Sequence, residues 1–366
     1  MPRKSKAAKM NNIMPPSLYG VQNSNRNFDD PHSWGKNQFN SSFPAALACY
    51  MRDLGTAGVS IKLGADLNTF IAEVPFDEIF GTSLPNNELY FAFESIYEPF
   101  RIYVEDQLVS IDLVIKDVNG GYIRPLEVKL TTLPDNTTCS LPEDRWGCEL
   151  VLRSATLKYM ALSIAESCSS PIDKTRIREM FGFCGKIRGW DNEVEALAYF
   201  PQIVMALEAF FSEFFERQRP LLLQPIWKTL KNAPVFDEQC LDMFVWTDFA
   251  LSRLLLYDPT ESEEELFSKA QIACYQLARF LYEWSSQERV FLRPIFDMMT
   301  SEREIFDALY LNIGPYLRSP RLNFPSIKKE EISNIILGGA EKLLDPSIPA
   351  WQFHEIVSAS ADLFGH

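Results

Sequence analysis

Two acids and an amine stand close together in the stretch from Val109 to Asp135, VSIDLVIKDVNGGYIRPLEVKLTTLPD: Asp112, Glu127 and Lys129. Carboxylates brought side by side repel each other, and a shared divalent cation relieves the repulsion. Mg²⁺ takes one or two carboxylates and completes its octahedron with water and phosphate oxygens. An amine beside it can orient an attacking water, help deprotonate it, or stabilise charge developing on phosphorus. The chemistry such a set serves is metal-assisted hydrolysis of a phosphodiester.

The elements that must position these groups are two short strands. Asn119-Gly120, followed by Gly121, is turn chemistry that tolerates positive φ, and it joins the strands as a hairpin. With the loop on Asn119-Gly120, Val118 pairs with Gly121 and, counting outward, Asp112 lies opposite Glu127. A bulge, or a loop set on Gly120-Gly121, would shift that register. Lys129 follows Glu127 by two residues and shares its face, while Ile111, Leu113, Ile115, Val128 and Leu130 take the other. Burying charges in such an apolar ribbon without partners is costly, so the set is expected to have a function.

Asp112 followed by Glu127-Val128-Lys129 resembles the D…(D/E)xK core of the PD-(D/E)xK nuclease superfamily. Ile111 stands where the superfamily's name has proline, a position that is commonly substituted. The segments LEVKLTTLPDNTTC, from Leu126 to Cys139, and EDRWGCELVLR, from Glu143 to Arg153, resemble the HindVP-type restriction endonuclease family. The resemblance runs from Asp112 to Ser169, with weaker echoes near the C-terminus. It implies a Mg²⁺-dependent type II enzyme that cuts double-stranded DNA at GRCGYC. Asp112 and Glu127 would be the metal ligands and Lys129 the catalytic amine. A palindromic site implies a homodimer, and a cytosine methyltransferase would be the genetic partner. The implied fold class is α/β, a PD-(D/E)xK nuclease-like mixed sheet core flanked by helices, with a large all-helical C-terminal half.

The whole chain bounds this. Its 366 residues allow one large or two medium domains. The formal net charge of −14 argues against nonspecific nucleic-acid binding, so a DNA cleft would need a local basic lining. Seven widely spaced cysteines show no zinc pattern and read as reduced thiols of a bacterial cytoplasmic protein. The three histidines, His32, His354 and His366, sit too near the ends to suggest a histidine-based triad. No apolar run has the length of a membrane helix, and no apolar h-region follows the basic N-terminus.

Along the chain, residues 1–40 read as a mobile N-terminal arm, 41–190 as an α/β catalytic core and 191–366 as a helical subdomain. Ser42-Phe43-Pro44 opens a helix running to Gly55. Val59 to Gly81 is mixed. Asn86-Asn87 is placed as the cap of a helix through Glu98, which would carry Glu94 either as a further metal ligand or on a solvated face. Arg101 to Val109 alternates as a strand. Thr131 and Thr132 open a hydroxyl-rich loop that either contacts phosphate or simply forms Asx and Ser/Thr turns. Glu149 to Arg153 reads as a strand, and Ser154 caps a helix with apolar positions Leu157, Met160, Ala161, Ile164 and Ala165.

Lys174, Arg176, Arg178, Lys186 and Arg188 make Asp173 to Arg188 locally basic, either a DNA-facing loop or scattered surface charge. Helical patterns follow over Glu193–Arg219, Asp237–Leu256, Ser262–Ser286 and Ser301–Leu317. Their aromatic residues are placed in the core. Residues 309–329 carry Arg318, Arg321, Lys328 and Lys329 with no acid, a strip suited to phosphate or to guanine edges. Two alternatives stay open: another PD-(D/E)xK deoxyribonuclease of repair or junction type, or a non-catalytic helical interaction protein in which the three charges are a surface ion cluster.

Overall fold

The structure is a computed structural model and describes residues 21, 23–25, 44–45, 47–49, 51–53, 55–63, 69–128, 151–152, 154–223, 227–230, 233–236, 244–256, 269–297 and 306–307. The first half contains β1 (Gly58–Leu63), β2 (Thr69–Val74), α1 (Phe76–Phe80), β3 (Leu89–Ser95), β4 (Ile111–Asp117) and β5 (Tyr122–Leu126). Next come β6 (Val151–Leu152), α2 (Ser154–Ser167), α3 (Pro171–Phe181) and α4 (Glu193–Glu213). Then follow β7 (Pro220–Leu223), β8 (Trp227–Leu230), β9 (Ala233–Phe236), β10 (Phe244–Thr247) and α5 (Asp248–Leu256). The last are α6 (Lys269–Ser286), α7 (Arg293–Phe296) and β11 (Phe306–Asp307). Strands and helices together make this a mixed α/β protein.

β3, β4 and β5 form an antiparallel sheet with β4 in the middle. β4 reads IDLVIKD, and its Ile111, Leu113, Val114 and Ile115 are all buried. A strand covered on both faces is a continuous apolar run rather than an alternation. On one face Val114 lies across from Ala92, within the main core that also holds Tyr159 of α2. On the other, Leu113 and Ile115 lie across from Phe93 and Phe91, and Phe91 meets Phe80 of α1 edge-on at 5.8 Å. Each such buried side chain contributes about 1.5–3 kcal/mol.

A second sheet has the order β2-β1-β10-β7. Its inner pair is parallel, with Val59 beside Phe244 and Ile61 beside Trp246. The second half of the chain is therefore not all-helical: β7 to β10 interrupt it, and β7 and β10 join strands from before residue 100. This sheet spans the boundary expected at residue 190. Of the helix expected over Asp237–Leu256, residues 237–243 lie outside the described residues, and the rest is the strand β10 followed by the shorter helix α5. The aromatic residues behave as expected, since Phe210 packs against Phe181, Phe211, Phe214 and Phe249 in the helical core.

Four other local expectations are corrected. Leu89–Ser95 is a strand, not part of a helix over Asn86–Glu98; Leu89, Phe91 and Phe93 alternate onto one buried face, which the pairing with β4 demands. Arg101 to Val109 is not a strand. Pro99 starts a 3₁₀ turn over Glu98–Tyr103, and Val104 then bridges to Val290. Asp173–Arg188 is not a loop: Ser170 caps α3 through the Asp173 N–H, and a 3₁₀ turn follows over Gly182–Lys186. Within the segment read as a mobile arm, Ser24 bridges to Phe91, and the Asn25 side chain brackets Phe93, accepting its N–H at 2.8 Å and donating to its carbonyl at 2.9 Å. The free edge of β3 is thereby covered.

Candidate active site

The hairpin closes differently from the simplest count. The Gly120 N–H donates to the Asp117 carbonyl and the Asp117 N–H to the Gly121 carbonyl, both at 2.9 Å. The loop is thus Val118-Asn119-Gly120, with Gly120 at φ +92°, one residue longer than a turn on Asn119-Gly120 alone. A register shift between Ile115 and Lys116 then restores the count, because Lys116 pairs with Tyr122 and Ile115 with Arg124. Leu113 pairs with Leu126, so the next position outward sets Asp112 across from Glu127, as the sequence predicted. Two one-residue errors cancel.

β5 ends at Leu126, and there the main-chain ladder stops. The Asp112 carboxylate takes over as acceptor: its Oδ2 receives the Val128 N–H at 2.9 Å. Glu127 lies between these points and is buried. Its Oε1 receives the hydroxyl of Thr156 at 2.9 Å, from the first turn of α2. A helix N-terminus favours negative charge at that position. The pair is thus tied down from two directions, Asp112 by its own hairpin and Glu127 by the helix behind it.

α2 supports this through a polar stripe. Thr156, Tyr159, Ser163 and Glu166 follow the 3–4 spacing of one helix face. The Tyr159 hydroxyl donates to the Pro125 carbonyl at 2.9 Å, two residues before Glu127. Burial, then the charges of Glu127 and Asp248, push the Tyr159 phenol well above its ordinary pKa, which keeps it a neutral donor. Ser163 donates to Asp248 Oδ2 at 3.0 Å, and Asp248 Oδ1 accepts the N–H groups of Arg219 and Phe249, each at 2.9 Å. Glu166 is ion-paired with Arg219 and receives the Tyr97 hydroxyl at 3.3 Å. Strand β5, helix α2, the start of β7 and the start of α5 are thereby locked together. None of these supporting residues was singled out from sequence. The available signal was four polar side chains at helical spacing within a largely apolar helix.

Other expected site residues fall in four groups. Glu94 is exposed on β3, with φ at +47°, at the position across from Asp112. Among the described residues no three acids, cysteines or histidines are grouped to hold a metal. Arg176 and Arg178 are engaged within the protein. Arg176 forks onto Glu213 at 2.8 Å and also reaches Glu179, while Arg178 donates to the Ser285 carbonyl at 3.1 Å. Lys174 does likewise with the Gln287 carbonyl at 3.0 Å. Both arginines are nonetheless exposed, so these neighbours hold their side chains at the surface of α3. Lys186 and Arg188 are exposed. Lys129, Thr131, Thr132, Arg318, Arg321 and Lys328 lie outside the described residues.

Oxygen ligands from two carboxylates, one buried and one half-buried, suit a hard ion such as Mg²⁺, with water and phosphate oxygens filling the other positions.

The comparisons with known proteins agree on the class. Residues 34–364 match the HindVP restriction endonuclease family. The chain belongs to that family, and with it to the type II restriction endonucleases. It is 33% identical over 339 residues to "Type II restriction enzyme HgiDI" of Herpetosiphon aurantiacus, covering 90% of this chain and 93% of that protein. It is 30% identical over 360 residues to "Probable type II restriction enzyme HindVP" of Haemophilus influenzae, covering 95% of each. No solved structure matches. No helix among the described residues is long and apolar enough to cross a membrane.

Proposed function

We propose that the protein hydrolyses phosphodiesters of double-stranded DNA at a palindromic site, GRCGYC, using Mg²⁺. The observation that carries this is the placement of Asp112 across from Glu127 where the hairpin opens, in a chain of this family. Asp112 and Glu127 would hold the cation. When bound, Mg²⁺ supplies Lewis-acid stabilisation of charge on the phosphate and lowers the pKa of a bound water. Lys129 follows Glu127 by two residues and is assigned to orient or deprotonate the attacking water. Attack in line with the P–O3′ bond leaves a 5′-phosphate and a 3′-hydroxyl, with a proton delivered to the departing oxygen.

The DNA-contacting surface is assigned to Lys186, Arg188, Thr131, Thr132 and the strip with Arg318, Arg321 and Lys328. For Lys186 and Arg188 the packing gives support. Arg279 of α6 lies over the Trp190 ring and donates to the Pro294 carbonyl; nearby Asp297 pairs with Ser154 and Lys158 at the start of α2. The Trp190 end of the turn and the start of α2 are thus linked through α6 and the residues around α7. A palindrome is read symmetrically, so the active species is a homodimer. A cytosine methyltransferase would protect the host's own sites.

Incubation with phage DNA and Mg²⁺ tests the proposal. Discrete fragments with 5′-phosphate ends at GRCGYC are expected, with full loss of cleavage in a chelator and recovery on added Mg²⁺. A smear, structure-selective nicking or intact DNA would refute it.

A further inference from the structure

We infer that Thr156 is a positioning residue for Glu127, helping to set the orientation in which that carboxylate meets the metal. This deepens the active-site assignment above and rests on it. The Thr156 hydroxyl is buried and donates to Glu127 Oε1 at 2.9 Å. Glu127 itself is only 6% exposed, so bulk water contributes little to its orientation. The terminal torsion of a glutamate is broad, with no strong intrinsic minimum. A donor of defined position therefore helps to fix which way its oxygens point.

Thr156 is the third residue of α2, so the carbonyl one turn earlier belongs to the preceding strand and not to the helix, and its hydroxyl donates across to Glu127. One helical step further on, Tyr159 donates to the carbonyl of Pro125, on the same side of the strand as Glu127. Two helix residues thus grip two strand positions, one through the main chain and one through the functional carboxylate. Tyr159 sets where the strand lies, and Thr156 sets how its acid is turned. Partners that orient a metal ligand typically affect metal affinity or activity by about 10- to 100-fold when removed.

The test compares full-length Thr156→Ser and Thr156→Ala, which both lack the methyl and differ only in the hydroxyl, with Glu127→Ala as reference. Mn²⁺ alone is the probe: the free-ion signal in electron paramagnetic resonance gives binding without any cleavage. The Mg²⁺ concentration for half-maximal cleavage and the thermal midpoint are read alongside. Thr156→Ala should weaken Mn²⁺ binding and raise the Mg²⁺ requirement by about tenfold or more. Thr156→Ser should stay within about threefold of the parent. Equal Mn²⁺ affinities for the Ser and Ala variants, with binding abolished in Glu127→Ala, would overturn the role of Thr156 while leaving the active site intact. Unchanged Mn²⁺ binding in Glu127→Ala would overturn the active-site assignment itself, and this inference with it.

Discussion

The Asp112 carboxylate accepts the main-chain N–H of Val128 at 2.9 Å, taking the place of a strand partner where β5 ends. The same side chain is thus structural and, in the proposed mechanism, a metal ligand. Asparagine keeps an acceptor oxygen for Val128 but not the charge; alanine keeps neither. Both variants should cut DNA at least about a thousandfold more slowly, the scale of the several kcal/mol that metal stabilisation supplies. Only Asp112→Ala should also lose about 1 kcal/mol of stability in denaturant unfolding, because the Val128 N–H loses its partner.

Lys129→Ala should abolish cleavage and leave the unfolding midpoint within about 0.5 kcal/mol of the parent. The amine is assigned to the transition state, so binding of cognate DNA in Ca²⁺ should persist while single-turnover cleavage disappears. Loss of the fold instead would favour an ion cluster that holds the ribbon together.

Asp248 gives a pH dependence with a definite sign. Burial raises its pKa from 3.8 to about 6, against the donors Arg219, Ser163 and Phe249, which pull it down. The folded protein therefore holds this proton more tightly than the unfolded chain. Its stabilising contribution is complete below the unfolded value and is lost as pH rises through the folded one, between about pH 4 and pH 6. The loss is on the order of 2–3 kcal/mol. Asp248→Asn should flatten this part of the stability profile and be no less stable than the parent at neutral pH. Asp248→Ala should be less stable at every pH, because the N–H groups of Arg219 and Phe249 lose their acceptor. Urea unfolding across this range checks both.

The hairpin turn allows a paired comparison. Gly120 has φ +92° with open space where a Cβ would go, so Gly120→Ala meets only backbone strain, about 1 kcal/mol. At Gly121 an added Cβ would come within 2.2 Å of Asp117 Oδ2. Asp117 Oδ1 meanwhile accepts the N–H groups of Asn119 at 2.7 Å and Gly121 at 3.2 Å. Gly121→Ala should therefore cost roughly twice as much, and most of that excess should vanish in an Asp117→Ala background. A double-mutant cycle on unfolding free energies measures it.

The sequence alone determined what is settled by near neighbours. Turn residues and the period of two along β4 and β5 brought Asp112 across from Glu127, even with the loop one residue longer than counted. Helical periodicity located α2, α4 and α6, and the run from Asp112 to Ser169 carried enough family character to be recognised. What only the tertiary structure decided involves partners far apart in the chain. Leu89–Ser95 is a strand because β4 and the Asn25 segment flank it, although it follows an Asn-Asn start that resembles a helix cap. β10 is a strand because β1, some 180 residues earlier, offers a free edge. The polar stripe of α2 acquires its meaning from Glu127, Asp248 and Arg219, each brought in from a separate segment. Local periodicity reports which face of an element is apolar; only packing decides what that face, and the buried hydroxyl or carboxylate upon it, will meet.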